Sequence, residues 1–213
     1  MEAEFWHRKW ARNEIGFHNA EAHPLLVVHF GALALSKGRR VFLPLCGKTR
    51  DIHWLLANGY RVAGAELSSI AVEQLFAELG AAPKAVETDE MRRYSADGID
   101  IFAGDIFALS RATLGPVDAV YDRAALVALP KEMRGRSAAH LAEITGRAPQ
   151  LLISFDYDQT LLAGPPFSVP GDEIARLYRD AYDPVRLGSA EVEGGLKGKC
   201  PAEETVWLLR PVT

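Results

Sequence analysis

A chain of 213 residues, 48% of them apolar and 24% charged, has the length and balance of one α/β domain with a buried core, and is too short for two ordinary domains to be expected. The formal net charge is only -4, with Lys and Arg scattered rather than blocked, which argues against nucleic acid or an anionic membrane surface as partner. The longest apolar runs, such as Leu25 to Phe30 and Val41 to Cys46, fall far short of the roughly 20 residues that span a bilayer.

The N-terminus, MEAEFWHRKW, carries mixed charges and two Trp where a signal peptide has an apolar stretch and a cleavage site. Cys46 and Cys200 are the only cysteines and form no CxxC pair, so a reducing, cytoplasmic compartment is expected. Helices are predicted over Glu4 to Asn13 and Pro24 to Leu35, then a strand over Val41 to Leu45 and a helix over Arg50 to Asn58. A strand over Arg61 to Leu67 leads into a helix over Ser69 to Leu79, with Ser68 and Ser69 as cap candidates and Gly59 and Gly80 as helix stops. The polar segment Lys84 to Asp97 shows no period and reads as a loop or insertion. Strands follow over Asp100 to Phe107, Ala119 to Asp122 and Leu151 to Tyr157, with helices over Lys131 to Gly146 and Asp172 to Asp180. Val185 to Val192 and Thr205 to Val212, joined by a Gly-rich connector without room for a helix, read as an antiparallel pair. Alternating strands and helices make this an α/β chain: five parallel strands plus a terminal hairpin.

The turn after the first strand, VFLPLCGKTRD (41 to 51), ends in the Gly-Lys-Thr of a phosphate-binding P-loop. A P-loop needs glycine five positions before Gly47, where this chain has Phe42, and Pro44 removes a backbone donor. The GxGxxG of a dinucleotide site is also missing, yet its context is present: strand, turn, helix, second strand, then Glu66, 19 positions after Gly47, where a carboxylate can accept both hydroxyls of a ribose. One glycine suits a ligand that brings no pyrophosphate, such as S-adenosylmethionine. Leu45, Glu66, Asp105 and Arg123 fall at or just past the ends of the first four strands, where open parallel sheets bind ligands.

The segments WHRKW (6 to 10), IGFH (15 to 18), VFLPLCGK (41 to 48), VAGAELS (62 to 68), DIF (105 to 107), YDRAALVA (121 to 128), SFDYD (154 to 158) and GPPFSVP (164 to 170) resemble, in that order, the thiopurine S-methyltransferase family. The resemblance implies a Rossmann-like class I methyltransferase: a seven-stranded mixed sheet with a C-terminal antiparallel hairpin and extra N-terminal helices. It implies one methyltransferase domain over 1 to 213, with 1 to 36 as a helical lid region and 37 to 213 as the core, and S-adenosylmethionine as cofactor. Carried across, Trp10, Leu45, Glu66, Asp105, Ile106 and Arg123 contact the cofactor; Arg123 also positions the acceptor, and Phe17 and Phe167 line its pocket. An aromatic face near a sulfonium gains about 0.5 to 2 kcal/mol, which favours Trp10 at the cofactor and leaves Trp6 as core. Where some relatives carry an acceptor-contacting Arg near the last hairpin, this chain has Lys197 and Lys199.

The implied reaction is methyl transfer to the sulfur of an aromatic or heterocyclic thiol by direct displacement, with no dedicated base. Alternatives are methylation of selenium or tellurium compounds, or a non-catalytic binder of S-adenosylmethionine or a nucleotide phosphate. Cys46 reads as a small buried thiol rather than a nucleophile. The six His show no metal spacing, so no metal is expected. The partner is expected to be a small molecule, and a monomer is the default.

Overall fold

Strands that are apolar along their whole length need a helix layer on each face, and the chain supplies both. The computed structural model of the chain describes residues 3–16, 18–88 and 91–212. The first half runs α1 (Ala3–Ala11), α2 (Pro24–His29, followed by a 3₁₀ turn, Phe30–Leu33), β1 (Arg40–Leu43), α3 (Arg50–Ala57), β2 (Arg61–Glu66) and α4 (Ser69–Glu78). Then come β3 (Lys84–Glu87), β4 (Arg92–Ala96), β5 (Ile99–Ala103), α5 (Arg111–Leu114) and β6 (Ala119–Arg123). The chain continues through α6 (Lys131–Thr145), β7 (Gln150–Asp156), α7 (Gly171–Tyr178), β8 (Tyr182–Glu191) and β9 (Glu203–Pro211).

All strands join one sheet of order β3-β4-β5-β2-β1-β6-β7-β9-β8. The central five, β5-β2-β1-β6-β7, are parallel, as the alternation of strands and helices predicts. The terminal pair forms as expected, with β9 antiparallel to β7 and β8 antiparallel to β9. Strand order reverses between β1 and β6, so the crevice beyond their carboxyl ends is the topological switch point.

The sheet has nine strands rather than the seven implied by the resemblance. Both additions come from the segment expected to be a loop: β3 and β4 extend the β5 edge as an antiparallel pair. Tyr94 is the buried anchor of β4, its ring 6.3 Å from that of Phe76. Arg92, Arg93 and all of β3 stay exposed, as suits an edge protected by charge. That polarity hides the strand period. The predicted helix over Pro24 to Leu35 is instead α2 plus its 3₁₀ turn, and α5 went unpredicted.

Side chains alternate across the sheet. Val41, Leu43 and Val62 pack under α2, α3 and α4 with Leu26, Ile52 and Leu75. Phe42, Ala63 and Val120 face the opposite layer, with Leu141 and Ile144 of α6. Gly64 is crowded between the first turn and β5: a Cβ there would lie 2.7 Å from Ile101 Cδ1 and 2.8 Å from Cys46 Sγ. Gly64→Ala is expected to destabilise the protein by about 1 to 3 kcal/mol by overpacking. A urea titration checks this, and an unshifted midpoint would contradict the packing described.

Candidate active site

The turn after β1 is held by backbone strain and one buried acid. Leu45 and Gly47 both take left-handed φ, +45° and +52°, and the Cys46 N–H extends the sheet by donating to the Ala65 carbonyl at 2.9 Å. Glu66, ending β2, is only 5% exposed. Its Oε2 accepts the Gly47 N–H and its Oε1 the Ser68 N–H, each at 2.8 Å. Burial raises the Glu66 pKa, and the N–H groups of Ser68, Gly47 and Leu67 oppose that shift. A carboxylate has about four lone-pair sites, so acceptor capacity remains for a ligand hydroxyl.

Trp10, 4% exposed, lies over this turn: a Cβ on Gly47 would sit 3.1 Å from Trp10 Cζ2. Trp6 is half-buried, edge-to-face with Phe5, rather than a core residue. Burial, then the Glu66 charge, pushes the Cys46 thiol well up, which keeps it protonated and unreactive. Lys48 Nζ donates to Glu78 Oε1 at 2.7 Å, and the Thr49 hydroxyl caps α3 by accepting the Asp51 N–H. The Gly47 donor and the Lys48 cation are thus already engaged, and the turn makes no phosphate cradle.

Asp105 is exposed beyond β5; its Oδ1 accepts the Phe107 N–H at 3.0 Å and opens the turn holding buried Ile106. His140 Nε2 donates to the Ile106 carbonyl at 2.8 Å, and the Arg136 guanidinium lies 3.9 Å from the Phe107 ring centroid, so α6 braces this rim. Arg123 is half-buried at the end of β6. His18 is held below 6.5 by burial first, then Lys48, with Arg50 and Arg123 adding to the depression and Glu78 opposing it. Residue 18 therefore lies within electrostatic reach of β6. The Phe167 N–H donates to the Val127 carbonyl at 2.6 Å, which fastens the Gly164–Phe167 turn to the segment after β6. The structure thus gathers Trp10, Leu45 and Glu66 on one turn, with Asp105 and Ile106 beyond β5 and Arg123 and Phe167 toward β6. Phe17 lies outside the described residues.

A buried polar chain escaped the sequence reading. The His23 N–H donates to Asp51 Oδ1 at 2.7 Å, and Tyr121 Oη to Asp51 Oδ2 at 3.1 Å. The Leu25 N–H donates to His23 Nδ1, so Nε2 carries the proton and donates to Glu204 Oε1 at 3.1 Å. These bonds anchor the segment after α1 to β6 and β9. Their sequence signals were faint: a His before the Pro that opens α2, and an acid in the first turn of α3.

Asp122 was missed as well. It is 1% exposed, its Oδ1 accepts the Leu126 N–H at 3.2 Å, and it holds the turn begun by Ala124 at φ +68°. Among the described residues no group of three or more His, Cys, Asp or Glu is placed to share a metal ion, and no helix is long and apolar enough to cross a membrane. A hollow of about 730 Å³ between Asp156 and the β8–β9 connection takes no residue from β1, β2, β5 or β6, so it is not the switch-point crevice.

A family model described as thiopurine S-methyltransferase matches residues 1–204. The chain belongs to this family. A thiopurine S-methyltransferase of Xanthobacter autotrophicus is 60% identical over 210 residues, covering 98% of this chain and 99% of its own. One from Gluconobacter oxydans is 49% identical, covering 99% and 96%. Among solved structures, a Burkholderia thailandensis 1,6-didemethyltoxoflavin N1-methyltransferase with bound S-adenosylhomocysteine shares the fold at TM-score 0.66 and 16% identity, over 98% of this chain and 87% of its own. A TehB-like methyltransferase from Corynebacterium glutamicum does so at TM-score 0.59 and 13% identity, over 99% and 98%. The chain is a methyltransferase with S-adenosylmethionine as cofactor. Its residues fit that cofactor: a turn whose Cys46, Gly47 and Thr49 N–H groups and Lys48 cation are already bonded, a buried carboxylate with spare acceptor capacity, and a Trp over the single glycine.

Burial raises the Asp122 pKa from 3.8 to about 6, against the N–H groups of Leu126 and Ala125. A carboxyl raised on folding binds more protons in the folded state, so its contribution to stability is present below 3.8 and lost as pH rises through about 6. Between pH 4 and 7 the native protein is expected to lose about 2 kcal/mol relative to Asp122→Asn, at 1.36 kcal/mol per unit. Denaturant titrations of both proteins at each pH check this, and a constant difference would refute it.

Proposed function

We propose that the chain transfers the methyl group of S-adenosylmethionine to the sulfur of an aromatic or heterocyclic thiol. Bound cofactor supplies an electrophilic methyl group on a sulfonium. The supporting observation is that Glu66 of β2 and Tyr121 and Asp122 of β6 already hold structural partners. Glu66 holds two backbone N–H groups, Tyr121 is spent on Asp51, and Asp122 holds the turn after β6. An aromatic thiol, already largely ionised near neutral pH, needs no base. Attack by an anion on a cation loses charge in the transition state, so alignment and exclusion of water matter most. The naming of close relatives supports the same acceptor.

In this reading Glu66 holds the ribose hydroxyls, Trp10 and Leu45 close on the cofactor, and Asp105 and Ile106 flank the adenine. Arg123 orients the anionic acceptor by charge-assisted bonding; Phe17 and Phe167 form its walls. Residues 1 to 36 act as a lid on the core formed by 37 to 213. The protein works as a cytoplasmic monomer without nucleic acid. Selenium and tellurium compounds are the competing acceptors, since the Arg123 cation suits their anions too.

Thiophenol and selenite, each offered with S-adenosylmethionine, decide between them by mass spectrometry of the products. Methyl phenyl sulfide as the main product is expected; turnover of selenite alone would transfer the assignment to the selenium reading, and turnover of neither would end both. Arg123→Gln is expected to lower thiol kcat/KM by roughly ten- to a hundredfold, the loss of one charged hydrogen bond.

A further inference from the structure

The Gly164–Phe167 turn is tied down on several sides, and one tie differs in kind. Tyr157 Oη donates to the Pro166 carbonyl and Lys197 Nζ to the Pro165 carbonyl, each at 2.7 Å. Lys197, which stood out in the sequence as a departure from relatives, thus meets the same turn from the β8–β9 connection. These bonds, like that from Phe167 to Val127, reach only backbone atoms. Arg134 of α6, 3% exposed, reaches a side chain as well. Its guanidinium carbon sits 5.6 Å from the Phe167 ring centroid. Its Nε donates to the Leu129 carbonyl at 2.9 Å, and its Nη1 to the Ser168 carbonyl at 3.1 Å and Glu173 Oε1 at 3.0 Å.

A guanidinium buried this deeply is tolerated only with its donors used and its charge balanced, and Glu173, 6% exposed, balances it. The planar fork bonds Leu129, Ser168 and Glu173 while the cation lies over the Phe167 ring, a combination that the single ammonium of lysine cannot reproduce. Leu129 closes the segment that begins with Arg123, and Ser168 follows Phe167 directly. One cation therefore sets the spacing between the proposed acceptor clamp and the proposed acceptor wall.

We infer that Arg134 is a positioning residue for the acceptor, fixing the Phe167 ring and its distance from the segment after β6, and so setting the width of a slot for a flat aromatic thiol. This rests on the acceptor site proposed above. A double-mutant cycle of R134K and F167L, read by steady-state kinetics with thiophenol and by calorimetry with S-adenosylhomocysteine, tests it. R134K is expected to raise the thiol KM about three- to tenfold while S-adenosylhomocysteine affinity stays within about twofold. In the F167L background R134K is expected to add less than about twofold, because the ring it acts through is gone. Glu173→Asp, which keeps the counter-charge but shortens the side chain that holds the guanidinium, supplies a second variant for the same cycle if R134K does not fold. Equal losses in cofactor affinity and thiol KM, or additive effects in the F167L background, would overturn the inference while leaving methyl transfer to thiols intact. Absence of thiol turnover by the unsubstituted protein would overturn the acceptor assignment and this inference with it.

Discussion

The carboxylate of Glu66 is the constraint on which the site depends. A charge this far from water is costly unless its lone pairs are met, and the N–H groups that meet them come from the two loops that must be fixed: the turn after β1 and the start of α4. The other features of the turn follow. Gly47 must lack a side chain because Trp10 rests on it, and Gly64 must lack one because Cys46 closes over β2. Lys48 and Arg50 pair with Glu78 and tie the turn to α4 from outside. The turn proposed to receive the cofactor is therefore braced by bonds within the protein itself, an arrangement that reduces the ordering left to binding.

The proposed acceptor end is built by a different device. There a non-glycine residue in the left-handed region, Ala124, bends the chain away from β6, and buried Asp122 holds the bend. The strain is retained because the surroundings fix it: Leu126 is bonded to Asp122, Val127 to Phe167 and Leu129 to Arg134. Asp122 and Arg134 stand at opposite ends of this segment, one a buried acid and the other a buried base with its own counter-ion. Both are bonded to structural partners within this segment and α7. The arrangement suits a reaction governed by alignment rather than by acid–base chemistry.

Much of this architecture was legible in the sequence, for definite physical reasons. The five parallel strands are short β-branched runs buried on both faces, and such runs leave a strong signal; the Glu66 position follows from the spacing of a strand, turn, helix and strand. The β3–β4 pair was hidden because it lies at an edge, where Arg92, Arg93 and Glu87 face water and only Tyr94 marks the inward side. Asp51, His23 and Arg134 were hidden because each works through a partner distant in sequence: 28 residues separate His23 from Asp51, and 39 separate Arg134 from Glu173. A local pattern cannot report such pairs. Lys48-Thr49, which looked like the tail of a phosphate site, has a structural explanation in Glu78 and the cap of α3.

If the Glu66 carboxylate both fixes the first turn and receives the ribose, removing its charge must weaken cofactor binding while the fold survives. Calorimetric titration of Glu66→Gln with S-adenosylhomocysteine, beside unfolding of the same variant, measures this most directly. The expected result is a loss of about 1 to 3 kcal/mol in binding, since an amide cannot accept the same set of N–H and hydroxyl donors with both of its heteroatoms. Unchanged affinity in a folded variant would contradict the account.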